Sequence, residues 1–550
     1  MNQKFHIIFL VIGLPILIIS QDGNKQKPPL MAVSSAHPLA TQAGLNILHQ
    51  GGNAFDAAIA IASTLNVVEP MMSGIGGYGT ILIYNAKIRE IKFLNCSGRF
   101  PLKTNTDLMR APTPGYGINR VGPKSISTPG NLNAWKSLHK QYGKLPWNQL
   151  FQDAINHAEK GFVLSELAGK IISFSHQDFS PYAKSFYYKN GKPLSKGDTL
   201  IQSDLGKTFR RIAEEGVTPF YSGDIAIAID KKMDEIGSFL SIEDLKRNEA
   251  EWFDPIKFNY KGFEIYTAAP PANSFAAFVI LGLMQEFSNE KITHNSVDYL
   301  HLVAEMAKKS YKVRLTYSFD PDFQKVPLDS ILSPVALKTQ ASEIDRTKAS
   351  VFKAPFSNVG KNTTHFVVVD QWGNMVSATQ TLGDAFGSHV MVEGTGVWLN
   401  NSMAFSTFEP KGNPMDAFSG RHKLSGDCPV IILKNNYPWA TLGTPGGHTI
   451  TQNVPQIIFN LIDFNMSMQL AIDAPKIAFE EPFFLFVEDD LPSETIKGLK
   501  AKGHFVLTTP DGIGNAHGIK IIRDKKGRVT SYEIGNDKRG DNKNSSMDIR

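Results

Sequence analysis

The residues with the clearest potential for chemistry are two threonines at the ends of a predicted β-hairpin. Thr363 stands at the start of a strand-like segment, 366–370, and Thr381 ends a second segment, 375–381, with a turn over 371–374 between them. Both threonines are equally far from the middle of the turn, so a hairpin brings them face to face. One hydroxyl can then orient the other for nucleophilic attack. Threonine is also common in strands for its β-propensity alone, so a purely structural pair stays an open explanation.

A glycine-rich segment is the second candidate for chemistry. The run Gly443-Thr444-Pro445-Gly446-Gly447-His448 stands just ahead of a helical pattern over 453–462. Successive glycine N–H groups at a helix start can form a concave nest that holds an anion, such as the oxyanion of acyl transfer. A plain glycine-rich connection explains the same run equally well. The sequence has no G-x-S-x-G, H-E-x-x-H or P-loop motif that would indicate another nucleophile.

A further glycine cluster, SGIGGYG over 73–79, formally matches the dinucleotide pattern G-x-G-x-x-G. That fingerprint needs a strand before it and a helix after it. Here the predicted order is helix, glycines, strand. The cluster therefore indicates a tight turn between closely packed backbones.

Composition and charge exclude several classes of protein. The chain has 550 residues, 42% of them hydrophobic and 20% charged, which is typical of a folded protein with a large core. The net charge of +5 is spread thinly and predicts no nucleic-acid partner. The two cysteines, Cys96 and Cys428, form no Cys-x-x-Cys and no Cys/His metal spacing. We therefore expect no disulfide framework, no metal and no cofactor.

The amino terminus carries a targeting signal. Lys4 precedes an apolar run over 7–19, which has the length of a signal-peptide core and is shorter than a bilayer span of ~20 residues. We expect residues 1–20 to direct export, to the periplasm or outside the cell. Ser20-Gln21 is a poor cleavage site, so an uncleaved membrane anchor is the alternative.

The remaining patterns predict the elements that position these residues. Ala-rich helices are expected over 40–50 and 53–66, the second capped by Asn53. The region 128–269 has a mostly helical pattern, whose expected core anchors are Trp135, Leu138, Trp147 and Leu150. Two further helices are predicted over 275–287 and 297–317, followed by an irregular polar segment over 328–360 and then by short β-rich runs.

Several of these runs, taken in chain order, resemble the γ-glutamyltransferase family of N-terminal-nucleophile hydrolases. They are HPLATQAGLNILHQGGNAFDAAIA, MSGIGGYG, TPGNLNAWKSLHKQYG, NTTHFVVVD, LNNSM, GTPGGH and NLIDFNMSMQLAIDAPKI, and the resemblance extends from Ala32 to Ile522. It implies a mixed α/β (α+β) fold of four αββα layers, export, and maturation of one precursor into two subunits. These would be a large subunit, 21–362, and a small subunit, 363–550, that remain together as a heterodimer.

The resemblance also assigns roles residue by residue. Thr363 matches the family's nucleophile, and the bond between Asn362 and Thr363 matches the self-cleavage site. Cleavage frees an α-amino group with an unperturbed pKa of about 7.7–8.0, which can serve as the base for its own hydroxyl. Thr381 matches the threonine that hydrogen-bonds the nucleophile, and Gly446 and Gly447 match the oxyanion glycines.

The matches on the substrate side are less complete. Asn401 lies in a run that borders the family's pocket, and Ser425 matches the first of its paired serines. The second serine is replaced by Gly426, and the arginine that holds the substrate's carboxylate is replaced by Ser97, with Arg99 nearby as a candidate substitute.

Three other family positions that bind the glutamyl head group carry residues unlike the family's. The positions that hold the substrate's amino group fall on Ser402 and Phe405, and Gly383 replaces an asparagine. These departures predict relaxed recognition of the glutamyl head group.

Three functions remain open on these residues. The first is γ-glutamyl hydrolysis or transfer, with glutathione or a related small amide as substrate and water or an amine as acceptor. The second is hydrolysis of N-acyl amides, as in the cephalosporin-acylase branch, which needs no glutamyl clamp. The third is a non-catalytic binding protein of the same fold, against which the retention of Thr363, Thr381 and the glycine pair argues.

Overall fold

The computed structural model describes residues 30–110, 119–353, 362–408 and 410–541, and the backbone of 547–549. The predicted export segment, 1–20, lies outside these residues. Within them, no helix has both the length and the apolar character needed to cross a membrane.

The strands in chain order are β1 (Met31–Ser35), β2 (Tyr78–Asn85), β3 (Glu90–Asn95), β4 (Phe162–Val163), β5 (Tyr188–Lys189), β6 (Lys192–Pro193), β7 (Thr199–Leu200), β8 (Glu251–Phe253), β9 (Ile256–Tyr260), β10 (Phe263–Thr267), β11 (Asn362–Val369), β12 (Met375–Gly383), β13 (Met391–Val392), β14 (Val397–Trp398), β15 (Val430–Lys434), β16 (Tyr437–Gly443), β17 (Ile477–Glu480), β18 (Phe484–Glu488), β19 (Phe505–Thr509), β20 (His517–Arg523), β21 (Val529–Asn536) and β22 (Met547–Ile549).

The helices in chain order are α1 (Pro38–His49), α2 (Ala54–Val68), α3 (Thr106–Arg110), α4 (Asn131–Tyr142), α5 (Gln152–Lys160), α6 (Glu166–Ser175), α7 (Pro181–Tyr187), α8 (Ser203–Glu215), α9 (Thr218–Tyr221), α10 (Asp224–Ile236), α11 (Ile242–Arg247), α12 (Phe275–Glu286), α13 (Val297–Tyr317), α14 (Leu328–Ile331), α15 (Pro334–Ser342), α16 (Ile450–Ile462), α17 (Met468–Asp473) and α18 (Ser493–Ala501).

Two antiparallel sheets lie face to face at the centre of the molecule. Over the described residues, the first sheet has the strand order β22-β1-β11-β12-β2-β3-β8 and the second has the order β21-β20-β16-β15-β10-β9. Their facing sides share one apolar core, to which Val367 and Val369 of β11 and Ile431 of β15 contribute. Because side chains alternate along a strand, Phe366 and Val368 point the other way, into the core beneath the helices.

Helices cover the outer face of each sheet. The first sheet packs against α1, α2 and α4, and the second packs against α12, α16 and α17; further helices, such as α5 on α2 and α13 on α12, pack on these. The molecule therefore has the four-layer αββα architecture that was predicted.

Helix α2 shows how local sequence fixes an element beside the site. Asn53 caps it as predicted: its Oδ1 accepts hydrogen bonds from the amides of Phe55 and Asp56, and Asp56 Oδ2 accepts from the Asn53 amide at 3.1 Å. The helix is buried along its whole length, which its small alanine side chains allow. It ends just before Glu69 and so places that residue beneath β11.

Most of the predicted helices are confirmed, with α13 matching its predicted bounds. The mostly helical pattern expected over 128–269 is wrong at its end, where β9 and β10 join the second sheet. The irregular segment expected over 328–360 is wrong in part, because α14 and α15 lie within it. Ser333 caps α15 by accepting a hydrogen bond from the Ala336 amide at 3.2 Å, and Leu337 packs against Gly282 of α12.

Candidate active site

The hairpin of β11 and β12 has the predicted register with one irregularity at its open end. Thr364 pairs with Gln380, but the next pair is Asn362 with Gly383. One residue of β11, Thr363, therefore lies opposite two residues of β12, Thr381 and Leu382, in a β-bulge. A bulge bends the strand and redirects a side chain. Thr363 and Thr381 are brought together, with their hydroxyl oxygens 3.1 Å apart.

The hydroxyl of Thr381 forms three hydrogen bonds. It accepts one from the Thr363 hydroxyl at 3.1 Å and one from the Gly383 amide at 2.7 Å, and it donates one to the Asn362 carbonyl oxygen at 2.8 Å. One donated and two accepted bonds use the full capacity of a hydroxyl. Thr381 thus holds the candidate nucleophile and polarises the carbonyl of the peptide bond that precedes it.

The residues after Thr363 anchor β11 in the core. The Thr364 hydroxyl donates to Glu69 Oε2 at 3.0 Å, and burial raises the pKa of Glu69 to about 8. His365 Nδ1 lies 2.9 Å from the Thr379 hydroxyl, and burial lowers the pKa of His365 well below its ordinary value. A Cβ on Gly443 would lie 2.3 Å from the His365 ring, so glycine is required there. These contacts fix the backbone that carries the nucleophile.

The glycine turn predicted to bind an oxyanion lies beside Thr363. Gly446 and Gly447 have φ values of +139° and +59°, which favour glycine, and a short 3₁₀ turn then leads into α16. Within the described part of the chain, the amides of Gly446 and Gly447 have no hydrogen-bond acceptor. Free amides at the positive end of a helix can stabilise negative charge.

Two cavities meet at Thr363. The larger, of about 330 Å³, also touches Asn362, Gly446 and Glu69. The smaller, of about 40 Å³, has room for a small polar group. It is lined by Tyr78, Thr363, Thr381, Gly383, Phe405, Lys423, Leu424, Ser425, Gly426, Asp427, Gly447 and His448.

Of the residues predicted on the substrate side, Ser425 and Gly426 line the smaller cavity and Arg99 lies elsewhere. Arg99 pairs with Glu251 at 2.8 Å and Asp322 at 2.7 Å and lines a separate cavity of about 250 Å³ together with Ser97. Its role in substrate binding stays a prediction.

Asn401 and Ser402 are buried among structural hydrogen bonds. Asn401 Oδ1 accepts from the Asp384 amide at 2.9 Å, and the Ser402 hydroxyl lies 2.5 Å from that of Ser127. Asn401 also lies directly against Gly383. With φ at +108°, a Cβ on Gly383 would lie 2.0 Å from Asn401 Oδ1, so no side chain fits there.

Three residues near Thr363 escaped the sequence analysis. Glu69 lies beneath β11, and Lys423 and Asp427 line the smaller cavity. The signal available for the last two was a pair of opposite charges flanking Ser425 in the run RHKLSGDCP. Charged residues next to a residue that matches a family motif are better indicators of a functional site than charged residues elsewhere in the chain.

Two groups of side chains among the described residues have the spacing of metal ligands. They are His301, Glu305 and His504, and Asp320, Asp322 and His422. In the first, His301 Nδ1 lies 2.8 Å from His504 Nε2, and Glu305 pairs with Lys308 at 2.7 Å. In the second, His422 bonds Asp320 and Glu251. His504 Nδ1 has no hydrogen-bond partner within the described part of the chain, and neither group lines the cavities at Thr363.

The layered fold and its structural neighbours define the class of N-terminal-nucleophile hydrolases. The chain resembles cephalosporin acylase from Bacillus halodurans with a TM-score of 0.83 and 27% identity, covering 93% of this chain and 95% of that one. It also resembles the γ-glutamyltranspeptidase of Helicobacter pylori, with a TM-score of 0.55 and 29% identity over 58% of this chain and 93% of that one.

Within this class the chain belongs to the γ-glutamyltranspeptidase family, whose model matches residues 40–547. It is 32% identical to the glutathione hydrolase proenzyme of Bacillus subtilis (strain 168), over 89% of this chain and 87% of that protein. It is 33% identical to the acylase ACY 1 proenzyme of Pseudomonas sp. (strain SE83), over 90% of both. The predictions of family, fold and enzyme class are confirmed.

Proposed function

We propose that the protein is a self-processing amidase whose nucleophile is the hydroxyl of Thr363. The observation that carries the proposal is the Thr381 hydroxyl, which bonds both the Thr363 hydroxyl and the Asn362 carbonyl oxygen. These hydrogen bonds support the roles of Thr363 as nucleophile, of Thr381 as its helper and of the Asn362–Thr363 bond as the cleavage site.

Processing begins when Thr363 Oγ1 attacks the carbonyl carbon of Asn362. The C–O bond forms, the C–N bond to Thr363 breaks, and the Thr363 nitrogen gains a proton to become an amine. Water then hydrolyses the resulting ester, which leaves a carboxylate on Asn362 and restores the hydroxyl. The Thr381 hydroxyl already donates to the oxygen that becomes negative. The products are subunits 21–362 and 363–550, which stay together as a heterodimer because β11 pairs with β1 of the large subunit.

Turnover uses the same hydroxyl on a small amide. The freed amine of Thr363 accepts the hydroxyl proton, and Oγ1 attacks the substrate carbonyl. The C–N bond of the substrate then breaks, the leaving amine takes the proton from the Thr363 ammonium, and water or an amine acceptor resolves the acyl-enzyme. The amides of Gly446 and Gly447 lie beside Thr363 and support stabilisation of the oxyanion. Removing such a donor typically lowers the rate ~10²–10³-fold.

Two substrate classes fit the family. The relatives include proteins named glutathione hydrolase and proteins named acylase, so γ-glutamyl amides such as glutathione and N-acyl amides are the candidates. The apolar run over 7–19 supports export to the periplasm or outside the cell, with retention as a membrane anchor as the alternative.

The test is mass spectrometry and N-terminal sequencing of the purified protein. We expect two chains, the smaller beginning at Thr363, and a single inactive chain for Thr363→Ala. Thr441→Ala is the matched control, because it removes a buried strand hydroxyl that donates to the Val430 carbonyl oxygen and lines neither cavity at Thr363. An active wild type that consists of one intact chain would overturn the proposal.

A further inference from the structure

The smaller cavity beside Thr363 contains a buried lysine, Lys423, that forms no direct ion pair with the described residues. Lys423 is 4% exposed and lies over the rings of Phe405 and Tyr78, with Nζ 5.1 Å and 5.8 Å from the ring centres. Among the described residues Lys423 forms no ion pair, and Asp427 influences its charge without a hydrogen bond between the two side chains. Burial, with Arg421 and Arg314 nearby, lowers the pKa of Lys423 well below its ordinary value. An anion in the cavity would supply the missing counter-charge.

The same cavity contains a buried carboxyl group. Asp427 is 4% exposed, and its Oδ2 accepts a hydrogen bond from the Thr80 hydroxyl at 3.5 Å. Burial raises the pKa of Asp427 to about 6, although the Ser425 hydroxyl and the nearby Lys423 oppose the shift. Hydroxyl groups alone do not neutralise a buried carboxylate, so a cation placed next to Asp427 would be stabilised.

Lys423 and Asp427 are not an internal salt bridge. They are close enough to influence each other's charge, but their charged atoms are more than 4.0 Å apart. A ligand with a carboxylate next to an ammonium would give each of them a partner at once. Three residues, 424–426, connect the two in the sequence, and Thr363 and Gly447 line the same cavity.

We propose that Lys423 and Asp427 recognise the head of the substrate's acyl group. Lys423 binds the carboxylate of that head, and Asp427 binds its ammonium group. The preferred substrate is then an amide whose acyl group ends in an amino-acid head, with its carbonyl at Thr363. The inference rests on the proposed amidase function and names the substrate class of that site. The sequence analysis predicted relaxed recognition of the glutamyl head group. The inference instead assigns this recognition to Lys423 and Asp427, which are not the positions matched to the family's head-group residues.

The charges predict a ranking of three substrates. A γ-glutamyl group pairs with both residues, a glutaryl group leaves Asp427 without a partner, and a butyryl group leaves both without one. Removing one partner of a buried charge pair typically weakens binding ~30-fold or more. We therefore expect kcat/KM to fall from the γ-glutamyl to the glutaryl to the butyryl p-nitroanilide.

The test measures ratios of kcat/KM for these three anilides in wild type, Lys423→Met and Asp427→Asn. Lys423→Met should lower the γ-glutamyl to butyryl ratio ~30-fold or more, and Asp427→Asn should lower the γ-glutamyl to glutaryl ratio. Lys434→Met is the matched control, because Lys434 also lies over an aromatic ring, at 4.6 Å from the centre of Phe263, but lines neither cavity at Thr363. Unchanged ratios in both variants, or a wild-type preference for butyryl, would overturn the inference.

A binding measurement separates this inference from the proposed function. Titration calorimetry with L-glutamate and glutarate on the Thr363→Ala chain needs neither cleavage nor turnover. Binding of glutamate that Lys423→Met abolishes supports head recognition even if the wild type proves inactive. Butyryl hydrolysis by a processed wild type, without glutamate binding or a γ-glutamyl preference, overturns head recognition and leaves the amidase function standing.

Discussion

The hydroxyl of Thr381 donates a hydrogen bond to the carbonyl oxygen of Asn362, 2.8 Å away, while it accepts one from the hydroxyl of Thr363. The helper of the nucleophile is therefore in contact with the peptide bond that we propose to be cut. When that carbonyl leaves, the Thr381 hydroxyl becomes free to orient Thr363 toward a substrate. In the proposed mechanism a single side chain thus serves both the precursor and the mature form.

Thr381→Ala should slow processing and turnover, because it removes the donor to the Asn362 carbonyl and the partner of the nucleophile. Loss of one such donor typically lowers a rate ~10²–10³-fold. The measurement is a time course of the two chains by gel electrophoresis after cell-free synthesis. Thr381→Ser keeps the hydroxyl and should process far faster than Thr381→Ala, and equal rates in the two variants would contradict this role.

Gly447→Val should lower kcat ~10²–10³-fold on every amide, because a side chain at φ of +59° distorts the free amides of the glycine turn. Gly394→Val is the control for backbone strain, since Gly394 has φ of +76° and open space around it, far from Thr363 in the sequence. Both variants are strained, but only the first should lose kcat. Similar losses of kcat in the two variants would show that the loss comes from impaired folding and not from the amides of the glycine turn.

Gly383→Asn restores the family's residue and should impair the protein. Its Cβ would lie 2.0 Å from Asn401 Oδ1, and the Gly383 amide, which donates to Thr381, would shift. We expect a lower melting temperature and slower processing, measured by calorimetry and by gel. Asn401→Gly in the same chain opens the space and should recover part of the processing rate; no recovery would mean that the strain comes from φ alone.

His422 should link stability to pH. Burial alone would lower its pKa, but hydrogen bonds to Asp320 and Glu251 raise the pKa of His422 to about 9. A raised pKa means that the protonated form favours the folded state, so this contribution to the free energy of unfolding is complete below pH ~6.5 and is lost as the pH rises through about 9. His422→Gln should therefore lower the melting temperature at pH 6 and have little effect at pH 10. An equal effect at both pH values would show that the proton is not involved.

Arg99→Ala tests the predicted carboxylate ligand directly. Arg99 is bound to Glu251 and Asp322 and lines a cavity that Thr363 does not touch. We expect the same proportional change in kcat/KM on γ-glutamyl, glutaryl and butyryl anilides. A loss confined to the substrates with a carboxylate would instead assign Arg99 to the acyl head.

The sequence by itself determined most of the helices around the site and the pairing of the two threonines. The capping box of α2, the length of α13 and the hairpin of β11 and β12 all depend on side chains a few residues apart. Periodicity, helix capping and turn formation depend on residues that are close together in the sequence. The glycine turn ahead of α16 was recognisable for the same reason.

Only the tertiary structure decided which groups surround Thr363. The bulge at Thr363, the space that Asn401 takes from Gly383, and the pairing of Arg99 with Glu251 all join residues distant in the sequence. In the sequence, Lys423 and Asp427 look like ordinary surface charges. The packing of the layers buries them in the cavity that Thr363 lines. Their significance comes from desolvation and from the absence of a direct ion pair between them, and both are properties of the folded arrangement.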